Sequence, residues 1–184
     1  MDKFPKDCKV SQQIYNYFQK KFCLGYLGLF ECISVASIKT LNVRPISILV
    51  ISPSGHFKSS VMNDILTMFP NETKLMPSWF TDYGIVKEFS EAELNNRIWC
   101  FNDLVSTFGS LSQAKANRVA SFLAELLSEG YTATATYRGR KELRLRIGLI
   151  GNIARDMWRK KKVDFLINTF RERILEFHYE LDWD

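Results

Sequence analysis

Residues 46–51 read Ile46-Ser-Ile-Leu-Val-Ile51, and they run straight into Ser52-Pro-Ser-Gly-His-Phe-Lys-Ser-Ser60. The first six are short, apolar and β-branched, the pattern of a strand buried on both faces of a parallel sheet. The next nine contain Pro53, Gly55 and four serines, which end a strand and make a turn. From Val61 to Phe69 the apolar residues return at helical spacing, and Pro70-Asn71 closes the run. Strand, polar turn and helix in that order form a βα unit, so further strands alternating with helices are expected around it.

The flanking sequence supplies them. Arg97-Ile-Trp-Cys-Phe101 is a second buried strand, ending at Asn102-Asp103, and Ile147 to Ile150 is a third, closed by Asn152. Ile174-Leu-Glu-Phe-His-Tyr179 reads as the last. Helices are expected over Ser11–Phe22, where Ile14, Phe18 and Phe22 recur every fourth residue, from about Leu27 to Leu41, and around Val163 to Phe170. The clearest helix is Gln113 to Ser128, with Val119, Phe122, Leu123, Leu126 and Leu127 on one stripe and Gly130 as its stop. Pro77 to Phe89 mixes loop and short-strand signals. Tyr131–Tyr137 and Leu143–Ile147 alternate around Arg138-Gly-Arg140, which predicts a β-hairpin. The expected fold is α/β, a three-layer sandwich with a mainly parallel five-stranded sheet. A helical segment over residues 1–42 packs on a core over residues 43–184.

Of 184 residues, 46% are hydrophobic and 24% charged, which excludes disordered and collagen-like chains. Cys8, Cys23, Cys32 and Cys100 form no CxxC pair, and the two histidines add no zinc pattern, so reduced thiols are expected. The first ten residues are charged and lack an apolar targeting core. The most apolar stretch, Cys23 to Ile38, is interrupted by Gly25, Gly28, Glu31 and Ser34, too broken to span a bilayer. A soluble cytoplasmic protein with no membrane partner is the expectation. Charge is uneven: residues 138–173 hold twelve basic and four acidic side chains, net +8, so the chain total of +5 leaves −3 elsewhere. A basic half on a slightly acidic body suits a polyanionic partner.

The turn at 52–60 carries the sharpest chemistry. A strand-to-helix turn offers unpaired N–H groups and the positive end of the helix dipole to an anion. Ser54, Gly55, His56, Phe57, Lys58, Ser59 and Ser60 would cradle the phosphates of ATP, with Lys58 on the β- and γ-phosphates and the Ser59 hydroxyl on Mg²⁺. The phosphate-loop pattern GxxxxGK[ST] is half met, because Ser52 and Phe57 stand where its two glycines belong. The competing reading is an ordinary strand-turn-helix connection with a helix-capping serine. Asn102 and Asp103 end the next buried strand 45 residues after Lys58; they would hold Mg²⁺, and Asp103 would activate water. Asn152 would contact the γ-phosphate or that water. Arg171 or Arg173 would be offered to the nucleotide of a neighbouring copy, which makes a homo-oligomer the expected form.

In this order the motifs resemble the AAA+ ATPases, over roughly residues 40–184, and the helicase-like minichromosome-maintenance members most of all. The Walker A loop, Walker B strand, sensor-1 strand and arginine finger of that family look like Ser52–Ser59, Ile98–Asp103, Gly148–Asn152 and Phe170–Arg173. The resemblance implies ATP and Mg²⁺ as cofactors, ATP hydrolysis, and work on nucleic acid in replication or mobile-element maintenance. A non-glycine before the lysine also occurs in minichromosome-maintenance helicases. Asn102-Asp103 replaces the family's Asp-Glu, so either Asp103 does the glutamate's work on a shorter arm or hydrolysis is weak. The chain stops about where the family's helical lid would begin, which predicts loose nucleotide binding. Helicase-like members carry a DNA-gripping hairpin just before the sensor strand, where this chain has its own. Arg138, Arg140 and Lys141 at the tip, with Arg144 and Arg146 on one arm, would contact DNA phosphates, and Tyr131 and Tyr137 would stack on bases. Three alternatives remain at this level: a solvated hairpin, a non-hydrolysing module acting in DNA binding or assembly, and a small-molecule kinase.

Overall fold

The computed structural model describes residues 9–40, 44–77, 89–104, 112–136, 139–159 and 173–182. Helices α1 (Lys9–Phe22) and α2 (Gly25–Ser37) lead into β1 (Ile48–Ser52) and α3 (Lys58–Met68). A 3-10 turn (Asn71–Thr73), β2 (Lys74–Leu75), α4 (Glu91–Leu94) and β3 (Arg97–Phe101) follow. Next come α5 (Gln113–Glu129), a hairpin of β4 (Tyr131–Thr136) and β5 (Gly139–Arg144), β6 (Ile147–Ala154), α6 (Arg155–Trp158) and β7 (Leu175–His178).

Five strands form one sheet in the order β2-β3-β6-β1-β7, and every pairing in it is parallel. The hairpin is a separate antiparallel pair. After β1 the chain crosses to the far edge, returns through β3, and places β6 between β3 and β1. Strand alternation then divides the core. Ile48, Val50, Ile98, Cys100 and Ile150 face α1, α2 and α3, meeting Phe18, Leu27, Val35, Met62 and Ile65. Leu49, Ile51, Trp99, Phe101, Leu149 and Ile153 face the other way, onto Val119, Phe122, Leu123 and Leu126 of α5. Cover on both faces is why β1 and β3 read as unbroken apolar runs. The first layer is closely built: a Cβ on Gly28 of α2 would stand 2.1 Å from the Phe18 ring of α1.

The architecture is therefore α/β, a parallel five-stranded sheet with helices on both faces. Several expected boundaries move. Asn152 does not end its strand: β6 continues to Ala154, because Ile51–Ile153 and Ser52–Ala154 still pair and Ile153 still packs in the core. Helix α2 begins at Gly25 and stops at Ser37 rather than near Leu41. Ile174 belongs to the core beneath α5 rather than to the last strand. Cys32 and Cys100 are buried, while Cys23 lies exposed at the α1–α2 turn. The expected helix at Val163–Phe170, most of the Pro77–Phe89 stretch and the hairpin turn at Tyr137-Arg138 lie outside the described residues. No helix among the described residues is long and apolar enough to cross a membrane.

Candidate functional site

The turn after β1 reaches α3 through two left-handed residues, Gly55 at φ 83° and Phe57 at φ 59°. Glycine adopts that region freely; a residue with a Cβ pays roughly 1 kcal/mol or more. Phe57 is also the residue before the helix and supplies no side-chain cap, so the capping-serine alternative does not describe this turn. The Phe57 ring packs on Phe22 of α1 at 5.7 Å, which helps hold the strained conformation.

Lys58 curls back over the turn. Its Nζ donates to Pro53 O at 2.7 Å, Ser52 O at 2.9 Å and Ser52 Oγ at 3.1 Å. Burial holds the ammonium below its ordinary pKa; Asp103 nearby opposes the shift and Arg155 adds to it. Ser59 Oγ donates to Asn102 O at 3.4 Å, which ties the first turn of α3 to the end of β3. Lys58, Ser59, Asn102 and Asp103 thus come together at the C-terminal ends of β1 and β3.

Asn152 reaches the same region from β6. It sits beside Val50 in the register, one residue beyond the Phe101–Gly151 pair, and shares the α3-side face with Ile150. It is fully buried, and neither its Oδ1 nor its Nδ2 has a hydrogen-bond partner among the described residues. A buried amide is nearly always satisfied, so this one needs a reason.

Four residues that sequence reasoning missed, Tyr179, Leu181, Arg155 and Glu180, complete the neighbourhood. The Tyr179 hydroxyl donates to His56 O, and Leu181 N donates to His56 Nδ1 at 3.1 Å. Burial pushes the Tyr179 hydroxyl up to about 12, against a Ser52 hydrogen bond that lowers it, so it stays a proton donor. Arg155 pairs with Glu180, and its Nη2 donates to Tyr179 O at 2.8 Å. Arg155 counted only as one cation among twelve; its place just after the strand bearing Asn152 was the available signal.

No protein-family model matches this chain, and no curated protein matches it in sequence. Function has to be argued from the turn itself.

Other expected site residues lie elsewhere. Arg173 precedes β7, whose Leu175 pairs with Ile48, the first residue of β1, so it stands at the opposite end of the sheet from its own turn. Arg171 and Arg138 lie outside the described residues. Arg140 and Lys141 belong to β5, opposite Ala135 and Thr134. Arg144 sits opposite Tyr131, with its guanidinium 5.9 Å from the centre of that ring, so one stacking face expected for a base already carries a cation. Arg146 is not on the hairpin arm. It donates to the carbonyls of Ser37, Ile38 and Thr40 and so clamps the end of α2.

Lys58, Arg155 and the start of α3 are the kinds of group that could hold an oxyanion, and Ser59 and Asp103 carry oxygens that could hold a hard cation. Among the described residues no three His, Cys, Asp or Glu side chains group as a metal cage, so a cation here would need phosphate oxygens as well.

Proposed function

We propose that this chain is a nucleoside-triphosphate-binding module of the AAA+ type, taking ATP and Mg²⁺ at the turn after β1 and nucleic acid at the hairpin. One observation supports the reading: Lys58 and Ser59 at the turn after β1 lie beside Asn102-Asp103 at the end of β3, and the unpartnered Asn152 stands two residues before the end of the neighbouring β6. Ligands of open parallel sheets bind at those ends, where the chain order reverses. The backbone of residues 54–59 and Lys58 hold the phosphates, and Ser59 Oγ and Asp103 hold the cation, which when bound draws charge from the phosphate oxygens. The Asp103 carboxylate orients the attacking water and accepts its proton. Asn152 hydrogen-bonds a terminal phosphate oxygen or that water, which gives its orphaned amide a partner.

Asn102 adds no negative charge beside Asp103, which favours slow turnover and keeps a second reading in view: a module that binds nucleotide without hydrolysing it. Arg173 stands far from its own turn, which supports action of Arg171 or Arg173 on a neighbouring copy in a homo-oligomer. The hairpin reading rests on the cationic sequence of β5, and its DNA contacts should be independent of base sequence.

Calorimetric titration with Mg-ATP tests the core of the reading. The unmodified chain should bind, and Lys58→Ala should weaken binding by about 100-fold, roughly two charge-assisted hydrogen bonds. No binding by the unmodified chain would sink the proposal. Phosphate release under saturating ATP separates the hydrolysing from the non-hydrolysing form. For the hairpin, Arg140→Ala with Lys141→Ala should lower the slope of log affinity against log salt by about 1.5. An unchanged slope removes those residues from the DNA contact.

A further inference from the structure

Arg155 follows Asn152 by three residues and opens α6 as the chain leaves β6. Its side chain is 21% exposed, and both of its hydrogen-bond contacts go to the segment after β7: the ion pair with Glu180 and the bond to Tyr179 O. That segment is itself fastened to the turn, through the Tyr179 hydroxyl on His56 O and Leu181 N on His56 Nδ1. Arg155, residues 179–181 and His56 therefore make a continuous chain of contacts that ends on the turn bearing Lys58. Arg155 also lies near enough to Lys58 to repel its positive charge. Ala154 pairs with Ser52, so Arg155 leaves β6 beside the residue on which Lys58 rests, and two part-buried cations near one turn are unfavourable alone and favourable around an anion. The partner Arg155 has in this structure is a weak competitor: the Glu180 side chain is 56% exposed, and exposed ion pairs contribute little.

We propose that Arg155 is a phosphate-binding residue of this turn, that the terminal phosphates of the nucleotide compete with Glu180 for its guanidinium, and that this exchange loosens residues 179–181 where they lie against His56. The inference rests on the nucleotide reading of the turn. A guanidinium meets phosphate oxygens through two parallel N–H bonds, and a phosphate group carries more charge than a single carboxylate. Moving Arg155 onto phosphate also withdraws its bond to Tyr179 O, so the segment loses two fastenings at once and keeps the Tyr179 N–H on Ile51 O and the two bonds to His56. The chain beyond β7 would thereby register whether a triphosphate occupies the turn.

The test uses calorimetry with Mg-ATP and Mg-ADP on the unmodified chain and on Arg155→Gln, Arg155→Lys, Glu180→Gln and Lys58→Ala, with amide hydrogen exchange over residues 179–182. Arg155→Gln should weaken ATP about tenfold or more, ADP less, with part of the loss restored in Arg155→Lys. Glu180→Gln, an exposed change that leaves the fold intact, should tighten ATP about threefold by removing the competitor. ATP should speed exchange at the Leu181 amide. If Lys58→Ala abolishes binding while Glu180→Gln and Arg155→Gln leave ATP affinity unchanged, the role of Arg155 is wrong and the nucleotide reading stands. If the unmodified chain binds no Mg-ATP, both fall.

Discussion

The two ends of the sheet carry the same kinds of polar residue and use them differently. At the N-terminal edge Arg146 donates to the carbonyls of Ser37, Ile38 and Thr40, and Arg44 reaches Leu127 O at 3.2 Å. Asn95 Oδ1 there accepts from the backbone N–H groups of Arg146 at 2.7 Å and Asn96 at 3.0 Å. These side chains line a cleft with Glu129 and Arg144, yet the fold already occupies their donors and acceptors. At the C-terminal edge Phe57 is held at φ 59° and Asn152 is buried with neither amide atom hydrogen-bonded among the described residues, while Lys58 donates to Ser52 and Pro53 and Arg155 to Glu180 and Tyr179 O. Local strain and unsatisfied buried polarity gather where a protein keeps chemistry in reserve; satisfied clamps hold structure. An asparagine means different things at the two edges: Asn95 accepts two backbone N–H groups, and the buried Asn152 has no partner among the described residues.

The contrast can be broken from either side. The largest effect is expected at Arg146: truncation to alanine leaves three carbonyls short of a charged donor and should cost about 3 kcal/mol. Chemical denaturation should show the shifted midpoint, with DNA affinity unchanged. A variant that folds normally but loses DNA affinity would turn the N-terminal edge into a binding surface and end the distinction.

Glu31 is the next lever. This α2 carboxyl is fully buried, neither oxygen has a hydrogen-bond partner among the described residues, and burial pushes its pKa well above the usual carboxylate range. The folded chain keeps its proton at pH values where the unfolded chain has released it. Stability should therefore fall as pH rises above the usual carboxylate pKa, by up to about 1.4 kcal/mol per pH unit, until the folded group ionises too. Glu31→Gln should flatten that slope and gain most at high pH; equal slopes in both proteins would show that Glu31 does not titrate in this way.

The smallest effect belongs to Asn152. Replacing an unsatisfied buried amide with leucine should stabilise the chain by about 1 kcal/mol while removing the effect of ATP on its melting temperature. A destabilised Asn152→Leu would mean the amide already supports the fold, and the C-terminal edge would then resemble the other.

Legibility followed distance along the chain. Strand β3 was readable to the residue, α5 to within one, and the turn between β1 and α3 in place, because each depends on neighbours within a few positions. β2 was not: with two residues, it is a strand only through its pairing with Ile98 and Trp99. The alternation of Leu143 and Leu145 suggested a longer hairpin arm. Leu145 instead turns inward to the core under α5, and its N–H donates to Gly130 O. In the candidate site, the places of Lys58, Ser59 and Asp103 were legible because a turn and a strand end mark them, whereas Asn152 was read as a strand end that β6 in fact passes by two residues. Arg155, Glu180, Tyr179 and the bonds of His56 were not, since the contacts lie 24 to 125 residues apart in the chain.

The sequence by itself determined that strands and helices alternate, and where a polar turn interrupts them, because burial on both faces and helical periodicity are written locally. Only the tertiary structure decided which polar side chains are already satisfied. That depends on which carbonyls and carboxylates the folded chain brings within about 3 Å of each donor, and it is what separates Arg146, whose partners are three backbone carbonyls, from Arg155, which pairs with the exposed Glu180 carboxylate and the Tyr179 carbonyl.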